Sequence, residues 1–329
     1  MKVSFAAIDR KNRAHIDFMR SSLMSCYRNE PYSAKEFPEA RSTIGIFSEA
    51  NFRDDYSYLM NIDGKYAGFF LMGRGAENTR WELGILLVLP EYQKRGLGTL
   101  ALNKMESFVE KSDCRTIFSA PYSSRLIVNG IPAFRSDVLH FFTGRGYTVA
   151  KRAEGLYGLD SGCFNYDREE MARKISVNES KGYRVKHFLA GSEDYNSICL
   201  KVAALCEKEN KDGWEKVFSG SSPKKEYSGI TAILHDDALV GICAYGFEPS
   251  SSSIWGWGNQ WGPLLVGSDH RSCGLGGGWL IASSLELMLE KGIRKIVLWT
   301  SVGEIPSRIY EKYGFRLRSP FYSIEKTDI

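Results

Sequence analysis

Two segments of the chain share one order of hydrophobic and polar positions. Residues 86–99 read LLVLPEYQKRGLGT, and residues 264–277 read LLVGSDHRSCGLGG. Five positions after the valine of each apolar run, a Gln or Arg begins the sequence Gln/Arg-x-x-Gly-x-Gly. Apolar side chains then recur at helical spacing over residues 97–108 and 280–288. Each segment is predicted to form a strand, a turn and a helix; residues 93–99 are the first glycine turn and residues 271–277 the second glycine turn.

The hydrophobic pattern around these segments also repeats, since each half reads as strand, helix, hairpin, strand, glycine turn, helix and strand. In the first half it predicts strands at 3–8, 56–62, 66–72, 80–88 and 116–120, and helices at 14–27 and 33–41. In the second half it predicts strands at 183–189, 230–234, 239–247, 254–266 and 295–300, and helices at 194–208 and 306–312.

The repeat indicates an internal duplication of one α/β plan within a chain of 329 residues. This length is sufficient for about two domains, each with its own core. Residues 166–182 are rich in charge and predict a connecting helix and linker. We therefore expect one domain at residues 1–165 and a second at residues 183–329.

Composition narrows the class of protein without identifying it. A hydrophobic content of 43%, a charged content of 25% and a net charge of +4 are ordinary for a globular chain and predict no nucleic-acid partner. The seven cysteines have no C-x-x-C spacing and the five histidines no metal-ligand spacing, so neither a zinc site nor a disulfide framework is expected. Without an apolar stretch of membrane-spanning length or a leader-like start, the sequence predicts a cytoplasmic protein.

The two glycine turns carry the first functional prediction. At the start of a helix, free backbone N–H groups and the helix dipole attract anions, and glycine allows a phosphate to come close. A phosphorylated cofactor at both turns is therefore expected, although a glycine turn can also do no more than join a strand to a helix. Cys273 lies inside the second glycine turn, where a filling role is favoured over a catalytic thiol because no His/Asp pattern accompanies it.

These residues resemble the acetyl-CoA signature of the GNAT superfamily of N-acetyltransferases. A second element of that family, an aromatic residue four positions before a Gly-Phe or Gly-Tyr pair, is matched by Tyr310 and Gly314-Phe315. The resemblance covers nearly the whole chain as a tandem pair, in the arrangement of the mycothiol synthase type. It implies two α/β (α+β) domains, each with a mixed, mostly antiparallel twisted sheet flanked by helices, and acetyl-CoA as the cofactor.

The resemblance also implies which residues hold the cofactor, the strand contacting the pantetheine arm and the turn contacting the pyrophosphate. In the second half these are Leu264, Val266, Arg271, Ser272, Cys273, Gly274, Gly276 and Gly277. In the first half they are Leu86, Val88, Gln93, Lys94, Arg95, Gly96, Gly98 and Thr99. For Arg271, Lys94 and Arg95 a role as plain solvated charges stays open, and Arg271 is also a candidate to position the turn.

The two halves differ at the position of the general acid. The resemblance assigns that role to Tyr310, whose phenol keeps its proton near pH 7, with packing between helix and sheet as the alternative. The first half has Phe142 four residues before Gly146, and phenylalanine has no proton to give. Its interval from Gln93 to Gly146 is 53 positions, against 43 from Arg271 to Gly314. The working site is therefore expected in the second half, and the first half is expected to be catalytically reduced.

The acceptor and the general base are less defined. Glu82 lies on the strand before the first glycine turn, as a candidate base or a paired carboxylate without a catalytic role. Trp255, Trp257 and Trp261 alternate along one predicted strand and so share one face, either in a core or as walls of an acceptor pocket.

The expected function is transfer of an acetyl group from acetyl-CoA to a primary amine of a small molecule or peptide. The alternative is a module that binds acyl-CoA without catalysis. Nucleotide or dinucleotide binding is disfavoured, because no G-x-G-x-x-G or Walker lysine follows either strand. Acceptor identity, acyl-chain length and oligomeric state are left open by the sequence.

Overall fold

The computed structural model describes residues 2–9, 11–27, 56–74, 80–119, 130–211, 214–219, 227–249, 258–273 and 278–329. Within them the strands are β1 Val3–Ala7, β2 Tyr58–Ile62, β3 Lys65–Arg74, β4 Trp81–Val88, β5 Ile117–Phe118, β6 Ile131–Pro132, β7 Thr148–Asp160, β8 Tyr183–Leu189, β9 Gly229–His235, β10 Ala238–Pro249, β11 Asn259–Val266, β12 Lys295–Ser301 and β13 Arg316–Lys326. The helices are α1 Arg13–Tyr27, α2 Leu97–Val109, α3 Ser136–Thr143, α4 Arg168–Glu179, α5 Tyr195–Lys208, α6 Trp214–Ser219, α7 Trp279–Glu290 and α8 Ile305–Lys312. This alternation of strands and helices confirms the predicted fold class.

Contacts divide the chain into two compact units. The first contains residues 1–154, 251–256 and 319–329, and the second contains residues 155–250 and 257–318. The C-terminal part of β13 therefore belongs with the first unit, although the sequence analysis placed it in the second domain. The predicted domain limits stay a prediction, because compactness does not by itself establish which segments fold independently.

The first unit is built on a mixed sheet in the order β1-β2-β3-β4-β5, continued by the C-terminal part of β13. All neighbours except β4 and β5 run antiparallel. The hairpin between β2 and β3 turns at Asp63 and Gly64, which both have positive φ, as a two-residue loop with the twist of the strands requires. Helix α2 covers the sheet with Leu97, Ala101 and Met105, as its apolar spacing predicted.

The second unit repeats this plan in the order β8-β9-β10-β11-β12, continued by the C-terminal part of β7. Its hairpin between β9 and β10 turns at Asp236 and Asp237, again both at positive φ. Helix α7 packs Leu280, Ile281 and Leu285 into the core. The predicted hairpins of both halves are thus present at the expected residues.

The charged segment predicted as a linker is a helix, α4, but it also packs as part of the second unit. Asp167 caps it by accepting a hydrogen bond from the Glu170 N–H at 2.9 Å. Met171 is buried in the core of the second unit together with Trp279 and Tyr313. Charge density marked the exposed side of α4, and a single buried methionine was too weak a signal to reveal its packed side.

Other elements were not predicted, namely β6, β7, β13, α3 and α6, which have little strict alternation or helical periodicity. The helix predicted at 33–41 lies outside the described residues. The longer interval of the first half falls between β5 and α3, where β6 pairs with Phe321 and Tyr322 of β13.

Candidate active site

The first glycine turn joins β4 to α2 through one turn of 3-10 helix at Pro90–Tyr92. The side-chain amide of Gln93 donates a hydrogen bond to the Val88 carbonyl at 2.9 Å, which ties the turn to the end of the strand. Gly96 then caps α2 in the left-handed region, at φ +82°, where a side chain would be strained. Lys94 and Arg95 lie exposed beside it.

The second glycine turn is tied to its strand by an equivalent hydrogen bond, which a different type of residue donates. Arg271 donates from Nε to the Val266 carbonyl at 3.0 Å, as Gln93 does to Val88 in the first half. The sequence repeat is therefore matched by a repeated hydrogen bond. The turn continues from a 3-10 helix at Ser268–Cys273, and α7 begins at Trp279. Gly274, Gly276 and Gly277 lie outside the described residues, as do the side chains of Ser272 and Cys273.

Each strand that leads to a glycine turn contains an extra residue relative to its antiparallel neighbour. In β4 the pairs Leu71–Ile85 and Met72–Leu83 leave Gly84 as the extra residue. In β11 the pairs Cys243–Leu264 and Tyr245–Trp261 place it at Gly262-Pro263. Both bulges lie nine positions before the first residue of the glycine turn. A bulge bends its strand and leaves backbone groups outside the regular ladder.

Parallel pairing of β11 ends before its bulge. β11 pairs with β12 at Asn259–Ile296 and Gln260–Val297, although β12 continues to Ser301. The strands therefore part beyond Gln260, and among the described residues the Leu264–Val266 segment has no strand partner on that side. The second unit thus has an opening between two parallel strands that leads to its glycine turn. In the first unit β4 pairs with β5 at Trp81–Ile117 and Glu82–Phe118, before Gly84, and the residues that follow β5 lie outside the described ranges.

Tyr310 lies on α8 beside the bulge of β11. Its ring meets the indole of Trp261, the residue before Gly262, edge to face with the ring centroids 5.3 Å apart. It also packs against Phe315 at 6.1 Å. Among the described residues no hydrogen-bond partner of its hydroxyl is recorded. Burial, with a smaller effect of the neighbouring Cys243 thiol, raises the pKa of Tyr310 above the ordinary phenol value. The hydroxyl thus keeps its proton across the neutral range.

The corresponding position of the first unit is apolar. Phe142 lies on α3, is 4% exposed, and packs edge to face on Tyr147 at 5.3 Å. Tyr147 corresponds to Phe315 and Phe142 to Tyr310. The two units therefore share the aromatic packing, but the hydroxyl lies on the helix residue in the second unit and on the residue after the glycine in the first.

A buried carboxylate that the sequence analysis missed holds the second glycine turn. Glu209 follows α5, and its side chain is 4% exposed. It accepts hydrogen bonds from the Ser268 N–H at 2.8 Å and the Ser268 hydroxyl at 2.9 Å, and it pairs with the Arg271 guanidinium. These donors, the Ser268 N–H first, hold the pKa of Glu209 below its ordinary value. Arg271 thus uses its Nε to bind the Val266 carbonyl and its Nη2 to bind Glu209. These are the contacts of a positioning residue.

We expect Glu209→Gln to loosen this turn. Losing the charged acceptor should lower the free energy of unfolding by about 1–2 kcal/mol, discounted because Arg271 is half exposed. Because the folded-state pKa of Glu209 is lowered, its stabilisation is present above the ordinary carboxyl pKa and is lost as the pH falls through the folded value. Denaturant unfolding at neutral and acidic pH measures this loss.

Glu207→Gln is the matched control, since Glu207 is exposed on the same helix. It should leave stability nearly unchanged. An equal effect of the two substitutions, or a Glu209→Gln deficit that grows as the solution becomes acidic, would contradict the role given to Glu209.

The candidate base and acceptor residues are buried. Glu82 is 3% exposed on β4, two residues before Gly84, with the Arg80 guanidinium 3.5 Å away. Trp261 is 1% exposed, and its indole N–H donates to the Ser284 hydroxyl at 2.9 Å. The predicted role of Trp261 as the wall of an acceptor pocket does not fit this burial, because the indole is enclosed by the core. Trp255 and Trp257 lie outside the described residues.

Metal-binding and membrane-spanning features also bear on the class of site. The described residues contain no group of three or more His, Cys, Asp or Glu side chains placed to hold a metal ion. None of the helices in the described ranges has both the length and the apolar character that a membrane crossing needs.

Comparison with known proteins relates part of the sequence to a family and the whole chain to a fold. Residues 16–126 match the sequence model of the acetyltransferase (GNAT) family. A search of curated proteins gave no significant match. That family match covers the first glycine turn.

Three solved structures share the fold over 99% of this chain. One is a GCN5-related glucosamine N-acetyltransferase region of a fungal multi-domain GH3 β-N-acetylglucosaminidase, with a TM-score of 0.76 and 15% identity; the match spans 38% of that longer protein. A tandem GNAT protein from the clavulanic acid biosynthesis pathway has a TM-score of 0.69 and 15% identity, and the match covers 98% of that protein. A GCN5-related N-acetyltransferase from Sphaerobacter thermophilus has a TM-score of 0.61 and 14% identity, and the match covers 95% of that protein. Residues 16–126 therefore match the acetyltransferase (GNAT) family model, and the chain as a whole shares its fold with GNAT proteins, a tandem one among them.

Proposed function

We propose that the protein is an acyl-CoA-dependent N-acetyltransferase whose working site lies in the second half. The observation that carries the proposal is the position of Tyr310, edge to face with Trp261 beside the bulge of β11. This places a protonated phenol next to the opening between β11 and β12, on the path to the second glycine turn. The acceptor is a primary amine of a small molecule or peptide.

The cofactor is acetyl-CoA, which when bound supplies an activated acetyl group as a thioester. Its fit rests on the opening between strands, where Leu264 and Val266 present backbone groups toward the pantetheine arm. The N–H groups that begin α7 would hold the pyrophosphate. In the first half Leu86, Val88 and the first glycine turn would offer the same groups, so both halves would bind the cofactor.

Within this site, Tyr310 would act as the proton donor, and Trp261 and Phe315 would orient its ring. The acceptor would attack as a neutral amine: its nitrogen would form a bond to the acetyl carbon and lose one proton while the carbon–sulfur bond breaks. Tyr310 would donate its phenolic proton to the departing sulfur, because a buried environment disfavours a free thiolate, and the proton lost by the nitrogen would restore the phenol. Trp261 and Phe315 fix the ring orientation, so little reorientation is needed.

A panel of amines tests the proposal. The protein is incubated with acetyl-CoA and each amine, release of free CoA thiol is followed, and binding of acetyl-CoA is measured separately by calorimetry. We expect binding together with turnover of at least one amine. Binding without turnover of any amine supports the alternative, a non-catalytic acyl-CoA-binding module. Absence of binding contradicts both.

A further inference from the structure

We propose that Ser284 is a positioning residue for acetyl transfer, and that it acts through Trp261 on the ring of Tyr310. This inference rests on the proposed function, because it gives a buried hydroxyl of the core a task in the same reaction. It adds a residue outside the sequence signature, and it links α7 to the candidate general acid.

Aromatic contacts hold the ring of Tyr310 in place. Trp261 meets it edge to face with the ring centroids 5.3 Å apart, and Phe315 packs on it at 6.1 Å. Both of these partners are buried. Edge-to-face contacts have a preferred geometry, so the direction of the Tyr310 hydroxyl depends on how the two neighbouring rings are fixed.

The indole of Trp261 is fixed by a hydrogen bond. Its N–H donates to the Ser284 hydroxyl at 2.9 Å. Ser284 is 0% exposed, so water does not compete for this acceptor. A buried indole N–H that loses its acceptor is costly, and the bond therefore fixes the rotation of the indole.

The hydroxyl of Ser284 is itself oriented by its helix. It donates to the Leu280 carbonyl at 2.6 Å, one turn earlier in α7. A hydroxyl has one proton and two lone pairs, so with the proton engaged by the helix the lone pairs are left for the indole. Leu280 is the second residue of α7. A chain of contacts thus runs from the first turn of α7 through Ser284 and Trp261 to Tyr310.

Trp261 lies where the opening between β11 and β12 begins. It follows Gln260, which pairs with β12, and it precedes the bulge at Gly262-Pro263. A rotation of the indole would therefore move the Tyr310 hydroxyl relative to the departing sulfur. Displacements of about 1 Å can cost a catalytic group as much as about 10²-fold in rate.

The first unit has neither the acid nor this support. Leu83 precedes the bulge at Gly84 as Trp261 precedes Gly262, and leucine has no N–H to donate. Phe142 is at the position of the acid. The proton donor and the tryptophan that orients it are thus absent together, as expected if the indole serves the acid.

The first unit does contain a tryptophan–serine hydrogen bond, but at another place. The Trp81 indole N–H donates to the Ser112 hydroxyl at 2.9 Å. Ser112 follows the end of α2 at Val109, whereas Ser284 lies within α7. The ring that meets Trp81 is Tyr56, which precedes β2 and is not at the position of the acid. The two bonds have equal length, and only one of them leads to the candidate acid.

Steady-state kinetics of Ser284→Ala and Tyr310→Phe, singly and together, test the inference. We expect Ser284→Ala to lower kcat about tenfold, because the acid is misplaced but still present. KM for acetyl-CoA and the calorimetric affinity for CoA should stay within about twofold of the wild type. Added to Tyr310→Phe, Ser284→Ala should lower kcat less than about twofold further, because no proton donor is left to misplace.

Ser112→Ala is the matched control, since it removes the equivalent bond in the first unit. Like Ser284→Ala it should lower the unfolding midpoint by a few degrees, but it should keep kcat. Trp261→Phe removes the bond from its other side and leaves Ser284 bonded to Leu280, so it provides the reading if Ser284→Ala does not fold. We expect Trp261→Phe to lower kcat with KM unchanged.

A wild-type kcat in Ser284→Ala, or in Trp261→Phe where Ser284→Ala does not fold, would overturn the inference. So would a loss of kcat that is equal with and without the Tyr310 hydroxyl, since Ser284 would then act on the fold and not through the acid. Each of these results leaves the proposed function standing. A wild-type protein that turns over no amine would instead overturn the proposed function, and this inference with it.

Discussion

Tyr310→Phe is expected to lower kcat for acetyl transfer by about 10²-fold or more, because general acids contribute on that scale. The substitution removes one oxygen and keeps the ring that packs on Trp261 and Phe315. Affinity for CoA should therefore stay within about twofold of the wild type, since a tenfold change would need about 1.4 kcal/mol of lost contact. Initial rates with a reactive amine, together with calorimetry, measure both quantities.

The pH profile gives a second readout of the same group. Burial raises the pKa of Tyr310, so the wild-type rate should not fall from loss of this proton as the pH rises toward the ordinary phenol value of about 10. The residual rate of Tyr310→Phe should stay low across that range.

Tyr313→Phe is the control for Tyr310→Phe, as the same atom is removed three residues further along the chain. The Tyr313 side chain lies in the core beside Met171 and Trp279, and we expect its variant to keep the wild-type rate within a few fold. A wild-type rate in Tyr310→Phe, or an equal loss in both variants, would refute the assignment of Tyr310 as the acid.

Local sequence spacing was enough to locate the main parts of this site. The interval from Val266 to Arg271 predicted a strand, a turn and a helix because each of these depends on residues close together in the chain. The hairpin turns at Gly64 and Asp237 were predictable for the same reason. The offset of Tyr310 from Gly314 is likewise a matter of one helical turn.

Contacts between distant segments could not be predicted in this way. Glu209 reaches Arg271 across 62 positions, and Arg145 reaches Thr99 across 46. Neither has a distinctive sequence neighbourhood, because a carboxylate at a helix end or an arginine before a glycine is common on protein surfaces. Only the folded arrangement shows that these side chains contact the two glycine turns.

The same limit applies to residues 155–182. Charge predicted a connecting helix and linker at residues 166–182, yet Met171 is buried in the core of the second unit, and so are Tyr157 and Leu159, which the sequence placed in the first domain. The segment also contacts the Gly-Phe pair: a Cβ added at Gly314 would overlap the Cys163 carbonyl. In the first unit the corresponding space at Gly146 is open, with the nearest atom, of Lys326, at 3.7 Å.

Because of this difference, we expect Gly314→Ala to lower the stability of the protein more than Gly146→Ala does. Gly314 has a φ of +98° and Gly146 a φ of +81°, so either alanine pays the backbone cost of about 1–2 kcal/mol for the left-handed region. Only at Gly314 does the methyl group also overlap a backbone carbonyl, which adds about 1–3 kcal/mol of overpacking. Gly314→Ala should therefore lower the unfolding midpoint by roughly 5–10 °C, and Gly146→Ala by a few degrees.

The alanine at position 314 should also displace Tyr310, the candidate general acid. The Tyr310 carbonyl accepts hydrogen bonds from the Tyr313 N–H at 3.0 Å and the Phe315 N–H at 3.3 Å, so the turn through Gly314 holds the end of α8. Thermal unfolding and acetyl-transfer rates of both variants separate the two effects. We expect Gly314→Ala to lose stability and kcat together, and Gly146→Ala to keep kcat. Equal losses of stability would mean that residues 161–165 do not pack on Gly314 as described, and a full rate in Gly314→Ala would mean that this turn does not position Tyr310.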